Sequence, residues 1–289
     1  MINFNQPDTY EHIDFPNIYF PFGCYPIHNL TTLPHWHPHT EIIYTQKGSV
    51  DIYINGTSYS CYEGDIQLIP ANSLHSILPK NHAVYIAIVI GDKLLSEVAN
   101  DLHFKQISCF LSEKSHLITY QLSTTNSFYK IIYPCIQTLL AEDCSNHPMK
   151  ELMIKLEICR FFALLNRYIP DIIANSEKSY PSHTQNLKMA IEFLTNHYAE
   201  KITIKTMSQL MNMSEQHFSR LFKTYTGKTF VDYLTQFRLE QAKRLLIQSD
   251  LPITQIPELT GFCNPNYFSR IFKRHFGLSP SQTRKTKTL

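Results

Sequence analysis

The chain has 289 residues, 43% hydrophobic and 17% charged, with a formal net charge of +2, a length and apolar share that fit two ordinary domains with a core each. Its seven cysteines, an odd number with no Cys-x-x-Cys pair, exclude a disulfide framework and a thiolate zinc site, and read as small buried hydrophobes in a reducing cytosol. The longest apolar run, Ala83 to Ile90, is too short to span a bilayer, and no basic start followed by an apolar stretch marks a secretory leader. A cytoplasmic protein without a membrane partner is therefore expected.

In chain order, residues from about Phe15 to Ile90 read as strands. Val50 to Ile54 and Thr57 to Cys61 flank Asn55-Gly56, a pair suited to a two-residue hairpin turn because both positions accept positive φ. Glu63-Gly64-Asp65 marks another turn before Ile66 to Pro70 and the segment His75 to Leu78. Many short strands with close turns predict an antiparallel barrel or sandwich. Within it, alternation along an extended His35 to Glu41 places His35, His37, His39 and Glu41 on one face, although Pro34 and Pro38 interrupt that alternation.

The spacing of His35, His37, Glu41 and Gly48 resembles the first cupin motif, and Gly64, Pro70 and His75 resemble the second, with Asn72 and Pro79 departing from its usual residues. That resemblance implies that His35, His37, Glu41 and His75 occupy the four positions used as metal ligands in cupin enzymes. Three readings stay open: a divalent metal, an organic effector in a pocket lined by His35, His37, His39, Glu41 and His75, or histidines satisfied by hydrogen bonds alone. No cofactor is required by the sequence.

Further along, Ser127 to Leu140 and Met149 to Tyr168 have helical periodicity. Ile131, Ile132, Ile136, Leu139 and Leu140 line the first, and Leu152, Leu156, Phe161 and Leu164 the second. Apolar residues in Ile154 to Leu165 exceed one narrow face, which favours a homodimer over core packing alone. Ala174 to His183 is polar and reads as a linker.

After the linker the chain writes one helix twice. Phe218-Ser-Arg-Leu-Phe-Lys223 returns fifty positions later as Phe268-Ser-Arg-Ile-Phe-Lys273. In each copy a short helix is followed by a turn, with Asn212 or Gly261 at the left-handed position. A second helix follows, capped by Ser214 or Asn264, its apolar residues on one face. This is a tandem helix-turn-helix pattern, joined by a helix around Thr229 to Gln248. An alignment with one residue inserted near Pro265 matches Met207, Leu210, Met213 and Ser214 to Ile256, Leu259, Phe262 and Cys263. Charge follows the same division: from Thr184 onward there are 15 Lys and Arg against 7 Asp and Glu, a net of +8, and before it 11 against 17, a net of −6. A basic end of the chain suits a phosphate backbone.

Residues from about Asn186 to Arg284 resemble the DNA-binding domain of the AraC/XylS family of transcription regulators. The run Arg238 to Leu246 and the run Gly261 to Gly277, with Pro280 and Arg284, carry the likeness. Pro257 and Thr283 depart from the family pattern: Pro257 is expected to make the scaffold helix of the second copy start late or bend, and Thr283, in place of the usual aromatic before Arg284, to loosen the C-terminal helix. The resemblance implies that Gln216, Ser219 and Arg220, with Asn266, Ser269 and Arg270 and with Asn264 at the edge, reach bases. Lys223 and Lys273 are expected to contact phosphate.

The expected fold class is α+β. Residues 1–110 form a cupin-like antiparallel β-barrel sensor, 111–173 a helical dimerisation or connecting region, 174–183 a linker, and 184–289 an all-α domain with two helix-turn-helix units. The expected function is transcription regulation, as an activator rather than a repressor, with promoter DNA, RNA polymerase and a small-molecule effector, a sugar by family analogy, as partners. The chain is not expected to be an enzyme. A metal-dependent cupin enzyme fused to a DNA-binding domain, and a regulator without an effector, are the alternatives.

Overall fold

A computed structural model describes residues 13–101, 120–168 and 183–285. The described residues divide into two compact units, one running to Thr184 and the other from Gln185 onward. The expected boundary at 110 and 111, and linker residues 174–182, lie outside the described residues. His183, assigned to the linker by composition, is instead the first residue of a helix.

In the first unit, the described strands are β1 (Phe22–His28), β2 (Thr32–His35), β3 (Thr40–Ile54), β4 (Thr57–Tyr62), β5 (Ile66–Ile69), β6 (His75–Ile90) and β7 (Tyr120–Leu122), in one antiparallel sheet. β3 and β6 pair along most of their length, from Thr40 opposite Ile90 to Ile54 opposite His75. One half of this pair is flanked by β1 and β5, the other by β2 and β4. The register shifts between the halves, where Gly48, Asn81 and His82 take positive φ. Asn55 and Gly56 form the expected hairpin turn, with φ of 47° and 88° and Ile54 opposite Thr57.

Among the described residues the sheet does not close on itself by hydrogen bonds. Its two halves instead cover one interior, built from Ile43, Val50, Ile52, Ile77, Tyr85 and Val89, and this arrangement is compatible with a cupin-like barrel. Strand alternation sends Ile42, Ile88 and Ile90 to the opposite face, into a second core. That core is completed by α1 (Asp92–Asp101), α2 (Tyr129–Asp143) and α3 (Lys150–Tyr168). A Tyr44 to Tyr133 hydroxyl contact of 3.2 Å joins β3 to α2.

The helix α3 corrects one expectation. Ile154, Ile158, Phe161, Phe162 and Leu165 are spent on the unit's own core, so most of the apolar excess of that stretch is packing, and Leu156 alone of its leucines is exposed. The apolar surface lies on another face, where Met149, Leu152, Met153 and Leu156 are 43–55% exposed at helical spacing. All six cysteines among the described residues are free.

The second unit is helical: α4 (His183–His197), α5 (Ile204–Leu210), α6 (Glu215–Thr226), α7 (Phe230–Gln248), α8 (Ile256–Leu259), α9 (Pro265–Phe276) and α10 (Pro280–Lys285). Side chains build N-caps in this unit: Thr203 accepts from the Thr206 N–H, Ser214 from His217, Thr229 from Asp232, and Asn264 from Asn266 and Tyr267. Gly227 and Gly277 end α6 and α9 in the left-handed conformation. Asn212 and Gly261 occupy the two left-handed turn positions, with φ of 51° and 80°. The extra residue of the second copy lies between the turn at Gly261 and the cap Asn264, close to Pro265, because Asn212 and Gly261 are equivalent turn positions and Ser214 and Asn264 equivalent caps. The scaffold helix α8 is only four residues long against seven in α5, in keeping with Pro257 near its start. No helix among the described residues is long and apolar enough to cross a membrane.

Candidate nucleic-acid interface and buried histidine cluster

Each helix-turn-helix packs its phenylalanines inward and most of its polar residues outward. Phe218, Leu221 and Phe222 of α6 are buried with Phe230 and Tyr233 of α7, and Phe268, Ile271 and Phe272 of α9 with Leu239, Ala242 and Leu246. The opposite faces are left to solvent: Gln216, Arg220 and Lys223 on α6, and Asn266, Ser269, Arg270 and Lys273 on α9, are exposed, and Ser219 is half-buried. Neither Arg220 nor Arg270 has an ion pair among the described residues, and Arg270 lies over the Tyr267 ring at 5.7 Å. Two side chains not expected from the sequence share the outer surface of α9, Tyr267 and Arg274. Helical spacing was the signal for Arg274, since it follows Arg270 by one turn.

Asn264 is exposed, but its Oδ1 accepts the N–H groups of Asn266 and Tyr267 at 2.9 and 3.0 Å, so it caps the helix. Asn264→Ala is expected to cost about 1 kcal/mol of stability, read by chemical denaturation, and to leave base preference unchanged. A changed base preference would return Asn264 to the reading set.

In the first unit, β2, β3, β6 and the link between β2 and β3 bring four side chains together inside the sheet. His35 stands opposite His75 in the β2 and β6 pairing, and Glu41 is the second residue of β3. His35, His37, Glu41 and His75 are all buried, and each offers a ligand atom within 4.8 Å of the others. The Glu41 Oε2 lies 3.0 Å from His75 Nε2 and 3.4 Å from His37 Nε2. His39 is not among them. The strand breaks at 37–39, around Pro38, and the His39 ring turns to Asp92, whose backbone N–H reaches its Nδ1 at 3.3 Å.

The protons of the cluster follow from its outer contacts. The Nδ1 atoms of His35, His37 and His75 lie 2.7, 3.1 and 2.9 Å from the carbonyls of Leu33, His39 and Ser73. A carbonyl only accepts, so each Nδ1 carries a hydrogen, and a neutral ring then presents an Nε2 lone pair to the centre. Burial, with His35 beside it, pushes His75 down to about 4, so it is neutral at pH 7. Burial alone raises the carboxyl of Glu41, and hydrogen bonds from His37 and His75 pull it below the usual range. Those two pulls conflict, because a neutral His75 with its hydrogen on Nδ1 has none to give Glu41. The geometry decides: His37 Nε2, His75 Nε2 and Glu41 Oε2 are buried without a hydrogen-bond partner. With His75 neutral, no hydrogen-bond donor meets the Glu41 carboxylate oxygen at the buried centre, and its negative charge is left unbalanced there.

The donor set fits a divalent transition cation. Nitrogen and oxygen ligands about 2.0–2.2 Å from one ion stand no further apart than about 4.4 Å, so the observed cluster needs to contract by only a few tenths of an ångström.

The AraC-like ligand binding domain model matches residues 15–106, and the helix-turn-helix domain model residues 207–286. Over 141 residues the chain is 30% identical to the raffinose operon transcriptional regulatory protein RafR of Pediococcus pentosaceus, covering 49% of this chain and 50% of that protein. Over 129 residues it is 26% identical to the lactose operon transcription activator of Staphylococcus xylosus, covering 42% and 46%. The chain thus spans about half the length of the curated relatives it matches. Among solved structures, fatty acid-bound ToxT of Vibrio cholerae covers 92% of this chain and 94% of its own, at 14% identity and a TM-score of 0.42. With an AraC-like ligand binding domain ahead of a helix-turn-helix domain, the chain belongs to the AraC family of transcriptional regulators.

Proposed function

We propose that this protein regulates transcription in the cytoplasm, reading promoter DNA with α6 and α9 and receiving its signal inside the N-terminal sheet. The observation that carries the DNA reading is the outward presentation of Gln216, Ser219, Arg220, Asn266, Ser269 and Arg270 from two equivalent, capped helices. The net charge of +8 from Thr184 onward supports it. The division is that of a sensor over 1–110, a helical region over 111–173, a linker over 174–182 and a DNA-binding domain from the helix that starts at His183. Genome-wide mapping of bound sites, followed by gel shifts of the full chain at rising salt, tests the reading. Binding without sequence preference would sink it.

The orphaned Nε2 and Oε2 atoms favour a divalent cation among the three readings of the histidine set. His35, His37, Glu41 and His75 would hold it, and the bound ion would supply the missing central charge and open positions for an organic effector. Relatives named for raffinose and lactose operons make a sugar the leading effector class. β3 carries Glu41 toward this interior and Ile42 and Tyr44 toward α2 and α3, so one strand serves both the cluster and the helix pair. Ligand-driven change requires unequal affinity for two arrangements of that strand. Activation through contact with RNA polymerase completes the proposal.

The exposed row on α3 supports a homodimer. Replacing Leu152 and Leu156 together by lysine is expected to convert a dimer to a monomer in analytical ultracentrifugation while leaving the melting temperature within about 2 °C, because neither side chain is in the core. An unchanged sedimentation coefficient would place any dimer contact elsewhere.

A further inference from the structure

We infer that Arg238 is a positioning residue that sets the separation of the two DNA-reading helices, a role that rests on the DNA-binding reading above. Its guanidinium lies where three parts of the second unit meet. From α7, Nε donates to the Tyr198 carbonyl and Nη2 to the Glu200 carbonyl, each at 2.7 Å. Both carbonyls belong to the turn that ends α4, where the backbone has no helical donors left. The Tyr198 ring also meets Phe237, the residue before Arg238, at 5.3 Å.

The turn of the second helix-turn-helix closes on the same point. A Cβ at Gly261 would stand 2.8 Å from Arg238 Cζ and Nε and 2.9 Å from the Ala199 carbonyl oxygen. Gly261 therefore has two reasons to lack a side chain, its φ of 80° and the guanidinium pressed against it. The equivalent position of the first copy needs only the conformation, and there an exposed Asn212 serves. The two copies thus differ where one of them docks on Arg238.

The consequence concerns the whole site on DNA. α6 is fastened to α7 by Phe218 and Phe222 against Phe230 and Tyr233, near the start of α7. α9 starts four residues after Gly261, so its N-terminus takes its position from the turn held by Arg238. A guanidinium spanning two carbonyls in a rigid fork resists rotation of that turn in a way that a single ammonium cannot. Two helices entering successive major grooves need such a fixed offset, since binding by linked readers gains only if both engage at once.

Selection of bound sequences from a random duplex library by the full chain tests this. The parent protein is expected to select two blocks of preferred bases at one separation. Arg238→Met, which keeps the stem and removes the donors, is expected to select the same two blocks over a separation scattered by about one or two base pairs. Its affinity for the parent's site should fall by about tenfold or more, with affinity for either block alone within about twofold. Arg238→Lys should fall between the two proteins. Arg238→Met with the parent's separation and affinity would overturn the inference, as would equal loss at both blocks, the mark of general unfolding. A parent protein that selects no two-block site would overturn the DNA reading itself.

Discussion

A His75→Ala protein is expected to take up no zinc at the buried cluster and to lose the thermal stabilisation that zinc gives the parent protein. His75 faces Glu41 at 3.0 Å and His35 across the strand pair, so its loss removes one of the four proposed ligands from a buried site. Binding to the folded form alone stabilises by about 2.7 kcal/mol at a hundredfold excess over the dissociation constant. For a unit of this size that is a rise of about 5–10 °C in melting temperature. Metal analysis after dialysis, with zinc, manganese, iron(II) and nickel offered separately, measures uptake, and calorimetry measures the shift. His39→Ala is the control: it faces Asp92 and lies outside the cluster, so uptake should persist. Equal uptake by the parent and His75→Ala proteins, or none by the parent, would remove the metal reading and leave the organic effector and the hydrogen-bonded histidines.

Arg270→Ala and Arg220→Ala should each weaken specific DNA binding by about 1–3 kcal/mol, which is about five- to 150-fold, and relax preference at one base position. Both side chains are exposed, on helices whose other face is fully used in the core, so truncation leaves stability nearly untouched. Lys223→Ala and Lys273→Ala should behave differently, weakening all sequences alike and reducing the slope of log affinity against log salt by about 1. Fluorescence anisotropy on the parent's selected site, at several salt concentrations, separates the two patterns. If replacing both arginines leaves the selected motif unchanged, the base-reading assignment is wrong.

Much of the second unit was legible because its determinants are local. Ser214, Thr229 and Asn264 cap helices through backbone groups two or three residues away, and the apolar spacing of Phe218, Leu221 and Phe222 lies within one helix. The same holds for Asn55 and Gly56, whose turn depends only on what φ those two residues accept. The apolar content of α3 was less informative. Periodicity shows that a helix has apolar residues on several sides but not which side meets its own core, so Phe161 and Leu156 look alike in sequence and end on opposite surfaces.

The histidine set shows the same limit. Spacing alone placed His35, His37, His39 and Glu41 on one face, and the break around Pro38 turned His39 away to Asp92. His75 joined the set through the register of β2 with β6, a pairing across forty residues. The sequence by itself determined the two families of elements, the repeated readers with their caps and turns, and the residue types available for ligation, because each rests on interactions spanning a few positions. The cupin-like spacing named His35, His37, Glu41 and His75 as a set, and only the tertiary structure decided that they converge with Nε2 of His37 and His75 toward Glu41, which face of α3 stays uncovered, and that Arg238 meets Gly261. Those outcomes depend on strand register and helix docking, which sum weak contributions over the whole chain and cannot be read from any short stretch of it.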